Sequence, residues 1–216
     1  MQATSSAVEA PPPRRTQAQR RERAERRLLD AALAIVARRG SVRMTLAEVG
    51  VAAGYSRGLP AQHFGSKAGL LRALAAHIGV RFREQREAAP ARRPGLDAIR
   101  GAISVYFGRS DADWTSTRAL LVMMTEGLMD ESAMRDDVVA YNRSSLAFFE
   151  AHLRIAVDAG EVSRDVEPAA CAVILLGAMR GVMLQALSDE AVDLRAVRDL
   201  LLSLVDRLVP AARRRR

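Results

Sequence analysis

Residues 45–71 read TLAEVGVAAGYSRGLPAQHFGSKAGLL, and this stretch decides the fold. Thr45 followed three residues later by Glu48 is a capping-box pattern, which predicts a helix start at Thr45. Leu46, Val49, Gly50 and Ala53 then share one face for about two turns. Gly54 breaks that helix and Ser56 can cap another, predicted over Arg57–Phe64. Phe64-Gly65-Ser66 breaks the chain again, and Ser66 can cap a long helix with Leu70, Leu71, Leu74, Ile78 and Phe82 on one face. Two short helices joined by a glycine turn form the helix-turn-helix layout, whose second helix enters the major groove of DNA. Gly50 and Ala53 are small enough to let the two helices cross closely. Pro60 lacks an N–H and restricts Leu59, which predicts an irregular or late start to the second helix.

Working outward, Leu28, Leu29, Ala32, Ile35 and Val36 mark one face of a preceding helix that ends at Gly40. Residues 1–19 carry Pro11–Pro13 and scattered arginines without an apolar period, and read as a disordered basic arm. Pro90 and Pro94-Gly95 form a joint. Beyond it lie five more helical patterns, around Leu96–Phe107, Thr117–Leu128, Val138–Leu153, a segment entered through Pro168, and Leu194–Leu208. No stretch alternates with period two, so strands are not expected. The reading is an all-α chain of about nine helices. It places a DNA-binding unit and its connecting helix at 20–89, a second helical domain at 95–210 and a basic tail at 211–216.

The charge is segregated. Residues 1–94 hold 18 Lys and Arg against 7 Asp and Glu, whereas residues 95–212 hold 11 against 18. A basic front end on an acidic body suits a polyanionic partner. Nearly every cation is arginine, and Lys67 is the single lysine. The single cysteine, Cys171, excludes a disulfide framework and a cysteine zinc site, and suggests a reduced, cytoplasmic setting. Arg180 interrupts the apolar stretch Ala169–Leu187, which argues against a membrane span.

The ordered set Ala31-Ala32, Gly40, Thr45, Ala52-Ala53-Gly54, Ser56, Gly58, His63-Phe64, Ser66-Lys67 and Leu70-Leu71 resembles the TetR family of bacterial transcriptional regulators, from Leu28 to Leu74. The resemblance implies a three-helix DNA-binding domain, a connecting fourth helix and a variable helical domain that dimerises and binds a ligand. It implies phosphate contacts for Thr45 and Lys67, a backbone contact for Tyr55 at the turn, and a place for Ser56 beside it among the DNA-binding residues. Arg57, Gln62 and His63 would face base edges or nearby phosphates. Chemistry supports these roles, because arginine pairs with guanine and glutamine with adenine in the major groove. Arg14, Arg15, Arg20 and Arg21 could lie in the minor groove or over phosphates. The family often has an aromatic residue where Ala61 stands.

Other readings are weaker. Gly54-Tyr55-Ser56-Arg57-Gly58 fits the nucleophile elbow of hydrolases, but that motif needs a strand before its serine. The three histidines lack metal-ligand spacing, and no cofactor is expected. A non-regulatory basic protein that coats nucleic acid remains the alternative; it would not need the large acidic second half. For a homodimer, Gly177, Gly181 and Leu184 offer a close-approach face, and Leu194, Val197, Leu201, Leu204 and Leu208 a seam. For a small apolar or weakly polar ligand, the expected lining is Trp114, Met123, Met124, Phe149, Met179 and Met183, with Met129, Met134 and Phe148 nearby. Arg118, Glu126, Asn142 and His152 could add polarity. The partners expected are therefore an operator duplex, a second copy of the chain and a small ligand, with no membrane.

Overall fold

The computed structural model describes residues 16–90, 92–108, 114–129 and 134–208. Nine helices and no strand occur among them: α1 (Gln17–Arg39), α2 (Leu46–Ala52), α3 (Leu59–Phe64), α4 (Lys67–Ala88), α5 (Leu96–Phe107), α6 (Thr115–Glu126), α7 (Arg135–Asp158), α8 (Pro168–Ser188) and α9 (Leu194–Asp206). The all-α reading stands. Arg14, Arg15, most of the expected arm and the tail at 211–216 lie outside the described residues.

Helix α1 starts earlier than its apolar pattern. Thr16 caps it by accepting the Gln19 N–H at 3.2 Å, and the Gln19 side chain accepts the Thr16 N–H at 3.0 Å. This complete capping box draws residues 17–19 into the helix, whereas their composition suggests an arm. At the other end Gly40, with φ of +79°, returns its N–H to the Val36 carbonyl and stops the helix.

Two apolar cores result. The first gathers Leu28, Ala32 and Val36 of α1, Val49 of α2, and Leu70, Leu74 and Ile78 of α4. Ala119, Leu120 and Met123 of α6 enter the same core, so a helix from beyond the Pro94-Gly95 joint is packed directly on α1. The second core joins Ile99 and Ile103 of α5, Phe149 and Leu153 of α7, Leu175 and Met179 of α8, and Leu201 and Val205 of α9. Full burial of each such side chain stabilises by about 1.5–3 kcal/mol relative to exposure. Leu128, read as part of the α6 stripe, falls past the helix end and is exposed.

A carboxylate fastens the two halves. Glu126, at the last turn of α6, accepts the Ser41 N–H at 2.9 and 3.2 Å and also the Ser41 hydroxyl. Ser41 is buried in the loop between α1 and α2. Gly40 permits the approach, since a Cβ there would stand 2.7 Å from a Glu126 carboxylate oxygen.

Candidate nucleic-acid interface and the cavity behind it

Helix α2 starts at Thr45, whose Oγ1 accepts the Glu48 N–H at 3.2 Å. The reciprocal half of the expected capping box does not form. Glu48 instead accepts a hydrogen bond from Arg39, the last residue of α1, and ties α1 to α2. Gly54, with φ of +78°, turns the chain, and the Tyr55 N–H closes onto the Gly50 carbonyl at 2.8 Å. A Cβ at Gly50 would stand 2.4 Å from the Ser56 carbonyl oxygen and 3.2 Å from Pro60 Cδ. Glycine is required there for the close crossing.

Helix α3 begins at Leu59, two residues later than the sequence pattern suggests, with Pro60 in its first turn. Ser56 does not cap it. Gly58 holds the capping position without a side-chain hydrogen bond, because proline supplies the helical φ but no donor to cap. Arg57 therefore stands on the turn and Gln62 on the helix, and both are exposed. Tyr55 is half-buried against the first core, with the Arg27 guanidinium 5.5 Å over its ring. The His63 ring lies 5.9 Å from that of Phe64, which also packs on the first core.

After Gly65, Ser66 caps α4 by accepting the Gly69 N–H at 3.1 Å. Lys67 then donates from Nζ to the Val42 carbonyl at 2.7 Å, and so holds the loop that leads into Thr45. Lys67 is thereby tied to the chain three residues ahead of Thr45. Arg20, Arg21, Arg23, Arg26 and Arg27 are exposed along α1, of which Arg26 pairs with Glu22 at 3.2 Å.

Ser56 of the hydrolase-like pentapeptide sits on a turn between two helices, and no strand precedes it among the described residues. The context that a nucleophile elbow needs is missing. No group of histidine, cysteine, aspartate or glutamate side chains among the described residues could hold a metal ion.

The expected ligand residues divide. Phe149 and Met179 line an interior space of about 60 Å³ together with Tyr141, Leu176, Arg86 and Arg180. Met183 is fully buried in the second core, and Trp114 packs on that core with a left-handed backbone (φ 52°). Met123 is instead buried in the first core and Met124 packs against it, since the α6 face that carries them meets α1. Met134 belongs to that core too, and Met129 is exposed. Two larger spaces, about 380 Å³ between α4 and α7 and about 330 Å³ among α4, α5 and α7, share Arg86 with the small one.

Three groups around these spaces are electrostatically perturbed. Burial lowers the Arg86 and Arg180 guanidinium pKa values, and neither arginine is in an ion pair among the described residues. Arg86 lies 4.4 Å over the Phe148 ring; Arg180 donates to the Asn142 amide oxygen and lies 5.9 Å over Tyr141. Burial, with Arg86 adding to it, holds the His152 imidazole below its ordinary value, and its Nδ1 accepts the Gly95 N–H at 3.3 Å. Sequence reasoning misses Arg86, and takes Arg180 only as an obstacle to a membrane span.

The last two helices carry an apolar outer face. Val173, Ile174 and Leu184 of α8 and Leu200 and Leu204 of α9 are exposed, and nothing stands within 4 Å of a Cβ built at Gly177 or Gly181. Leu201 is buried, and Leu194 and Leu208 pack on the second core, so these three face inward; Val197 is half-buried. By length and mean hydropathy (1.8) α8 could cross a membrane. Its Leu175, Leu176, Met179 and Met183 are buried in the second core, and Arg180 is half-buried beside them.

The crossed helix pair, with an exposed arginine on its turn and an exposed glutamine on its second helix, is the architecture of a helix-turn-helix DNA-binding protein. The family model for bacterial regulatory proteins of the TetR family matches residues 28–74. The whole fold matches a protein from Rhodococcus sp. classed as a TetR-family transcriptional regulator, at TM-score 0.76 and 22% identity over 88% of this chain and 100% of that one. It also matches SmeT, the repressor of the Stenotrophomonas maltophilia multidrug efflux pump SmeDEF, at TM-score 0.69 and 26% identity over 87% of this chain and 91% of that one. A Saccharomonospora viridis protein classed as a transcriptional regulator and solved with choline matches at TM-score 0.73 and 19% identity, over 87% and 98%. No curated protein matches the chain. Residues 28–74 thus match the TetR-family model, and the chain as a whole has the fold of the TetR-family transcriptional regulators.

Proposed function

We propose that the chain is a non-enzymatic, cytoplasmic, ligand-responsive repressor that binds a palindromic operator as a homodimer. The observation that carries this reading is the close α2–α3 crossing at Gly50, which presents Arg57 and Gln62 outward beside the basic face of α1. Arg57, Gln62 and His63 would read base edges, while Thr45, Tyr55, Ser56 and Lys67 and the arginines of α1 would hold phosphates. Two recognition helices must enter successive major grooves about 34–36 Å apart, which one copy of the chain cannot do. The exposed apolar face built from Ile174, Gly177, Gly181, Leu184 and Leu204 supports a dimer through α8 and α9. Covering that face explains why a helix as apolar as α8 leaves one side outward.

A ligand in the cavities around Arg86 would bear on α4, which lines all three spaces and leads from the Ser66 cap to its contacts with α5 and α7. A ligand that prefers one α4 setting over another shifts the spacing of the recognition helices; one without such a preference shifts nothing. Glu126 and α6 supply a second link, from the second half of the chain to the loop ahead of α2.

Sedimentation combined with operator titration tests the assembly. The expected result is a dimer at micromolar concentration and one dimer per palindromic site. A monomer with undiminished operator affinity would overturn it.

A further inference from the structure

The cavity system holds more positive charge than its surroundings explain. Five arginines line it, Arg72, Arg83, Arg86, Arg92 and Arg180, against two carboxylates, Asp137 and Glu87. Asp137 is engaged by Arg72 at 3.4 Å, and Arg92 is engaged by Asp97 at 3.3 Å. Four of the five arginines come from the basic first 94 residues, and Arg180 enters from the acidic second half of the chain. Arg86 and Arg180 are left at the smallest of these spaces without an ion-pair partner among the described residues. A guanidinium keeps its proton in a protein, and withdrawing one from water without a counter-charge is costly. The lowered pKa values of both groups arise first from that loss of water.

We infer that these cavities take an organic carboxylate, its head between Arg86 and Arg180 and its apolar body over Ala98, Ala102, Val105 and Phe148. The sizes fit the division. About 60 Å³ between the two arginines accommodates a head group comparable to one or two waters. The adjoining space of about 330 Å³ shares Arg86, Ala102 and Val105 with it and accommodates the body. A carboxylate matches the guanidinium fork in geometry as well as charge, whereas an amide of the same shape offers no counter-charge and sets donors against donors. A cation is repelled.

This inference names the ligand class for the responsive site proposed above, but binding is read without DNA. The probes are acid–amide pairs of one shape: octanoate and octanamide, 2-naphthoate and 2-naphthamide, indole-3-acetate and its amide. Each is titrated calorimetrically into the full-length protein, its Arg86→Met and Arg180→Met variants, and the double variant. Methionine of similar length removes a charge that is costly to bury, so the variants should melt no lower than wild type; Arg180→Gln and Arg86→Gln serve if one of them fails to fold. At least one acid should bind wild type ten-fold or more tightly than its amide, and the double variant should bring that ratio close to one. Absence of any acid preference, including absence of binding by every probe, overturns the inference, as does a preference that survives the double substitution. An acid that binds with this pattern yet leaves operator affinity unchanged refutes the ligand-responsive reading while the site stands. Operator release by an uncharged compound, with no acid preferred over its amide by the wild type, does the reverse.

Discussion

Replacing Gly50 with alanine probes the helix crossing on which the DNA-binding reading depends. The added methyl would stand 2.4 Å from the Ser56 carbonyl oxygen, a backbone atom that no rotamer change can move. An ordinary C···O approach is about 3.3 Å or more, so the turn carrying Ser56 and the start of α3 must retreat by about 1 Å. Overpacking of this kind costs about 1–3 kcal/mol. The increase in helix propensity over glycine offsets it by about 1 kcal/mol, leaving a net destabilisation of about 0–2 kcal/mol. DNA binding should suffer more than stability. A base-edge hydrogen bond tolerates little of a 1 Å displacement, and each bidentate pair is worth about 1–3 kcal/mol. If each recognition helix forfeits one such pair, a dimer is weakened by about 2–6 kcal/mol, which is at least about thirty-fold in affinity. Denaturant titration gives the first quantity and fluorescence anisotropy on an operator duplex the second. Gly58→Ala is the control for stability, because nothing lies within 4 Å of its Cβ position. A Gly50→Ala protein that is stabilised by about 1 kcal/mol and binds operator unchanged would refute the crossing.

Three further outcomes are expected. Lys67→Met should weaken specific and random duplexes alike and flatten the slope of affinity against salt by about one unit, measured by anisotropy across a salt series; an effect confined to the operator would make Lys67 a base-reading residue. Glu126→Ala leaves the buried Ser41 N–H without its acceptor and should cost about 1–3 kcal/mol in denaturant titration, with Glu126→Gln retaining most of the stability because its amide oxygen still accepts. His152 is held neutral by burial and by Arg86, so its folded pKa lies below the unfolded value of 6.5. Its contribution is complete above pH 6.5 and declines as pH falls below that toward the folded value, since the unfolded chain then binds the proton more readily. Unfolding midpoints at pH 7.5 and 5.5 should show that decline in wild type and a smaller one in His152→Phe.

The residues that make the fold legible are those whose physics is local. Gly40, Gly54 and Ser66 mark helix ends through backbone freedom and capping, and each stands at the end it signals. Pro60 announces the late start of α3 because a ring that lacks an N–H acts on its own turn. The Thr45–Glu48 box forms only by half because a tertiary partner, Arg39, competes for the same carboxylate. The start of α1 is hard to see in the sequence because Thr16 and Gln19 lie ahead of any apolar residue, and only the cap itself signals them. Met123 and Met124 belong to a different core from the one their pattern suggests, for a related reason. An apolar stripe on α6 says that the helix is covered, but not whether α1 or α8 covers it. The cavity arginines have one visible sign, a lone Arg180 inside an apolar run, which is worth reading as a site as well as an objection to a membrane span. Arg86 has none, since it sits among the other charges of α4.

Sequence-specific recognition of DNA by α3 is the claim on which the rest depends. Its most direct measurement is the sequencing of genomic fragments retained by the purified protein, followed by titration of the recovered site and of a scrambled duplex at one salt concentration. The account predicts a single palindromic motif bound about 10³-fold or more tightly than the scrambled duplex, with Gln62→Ala or Arg57→Ala altering preference at particular base pairs. Fragments without a shared motif, held as tightly as the scrambled duplex, would contradict it and point to a protein that coats nucleic acid.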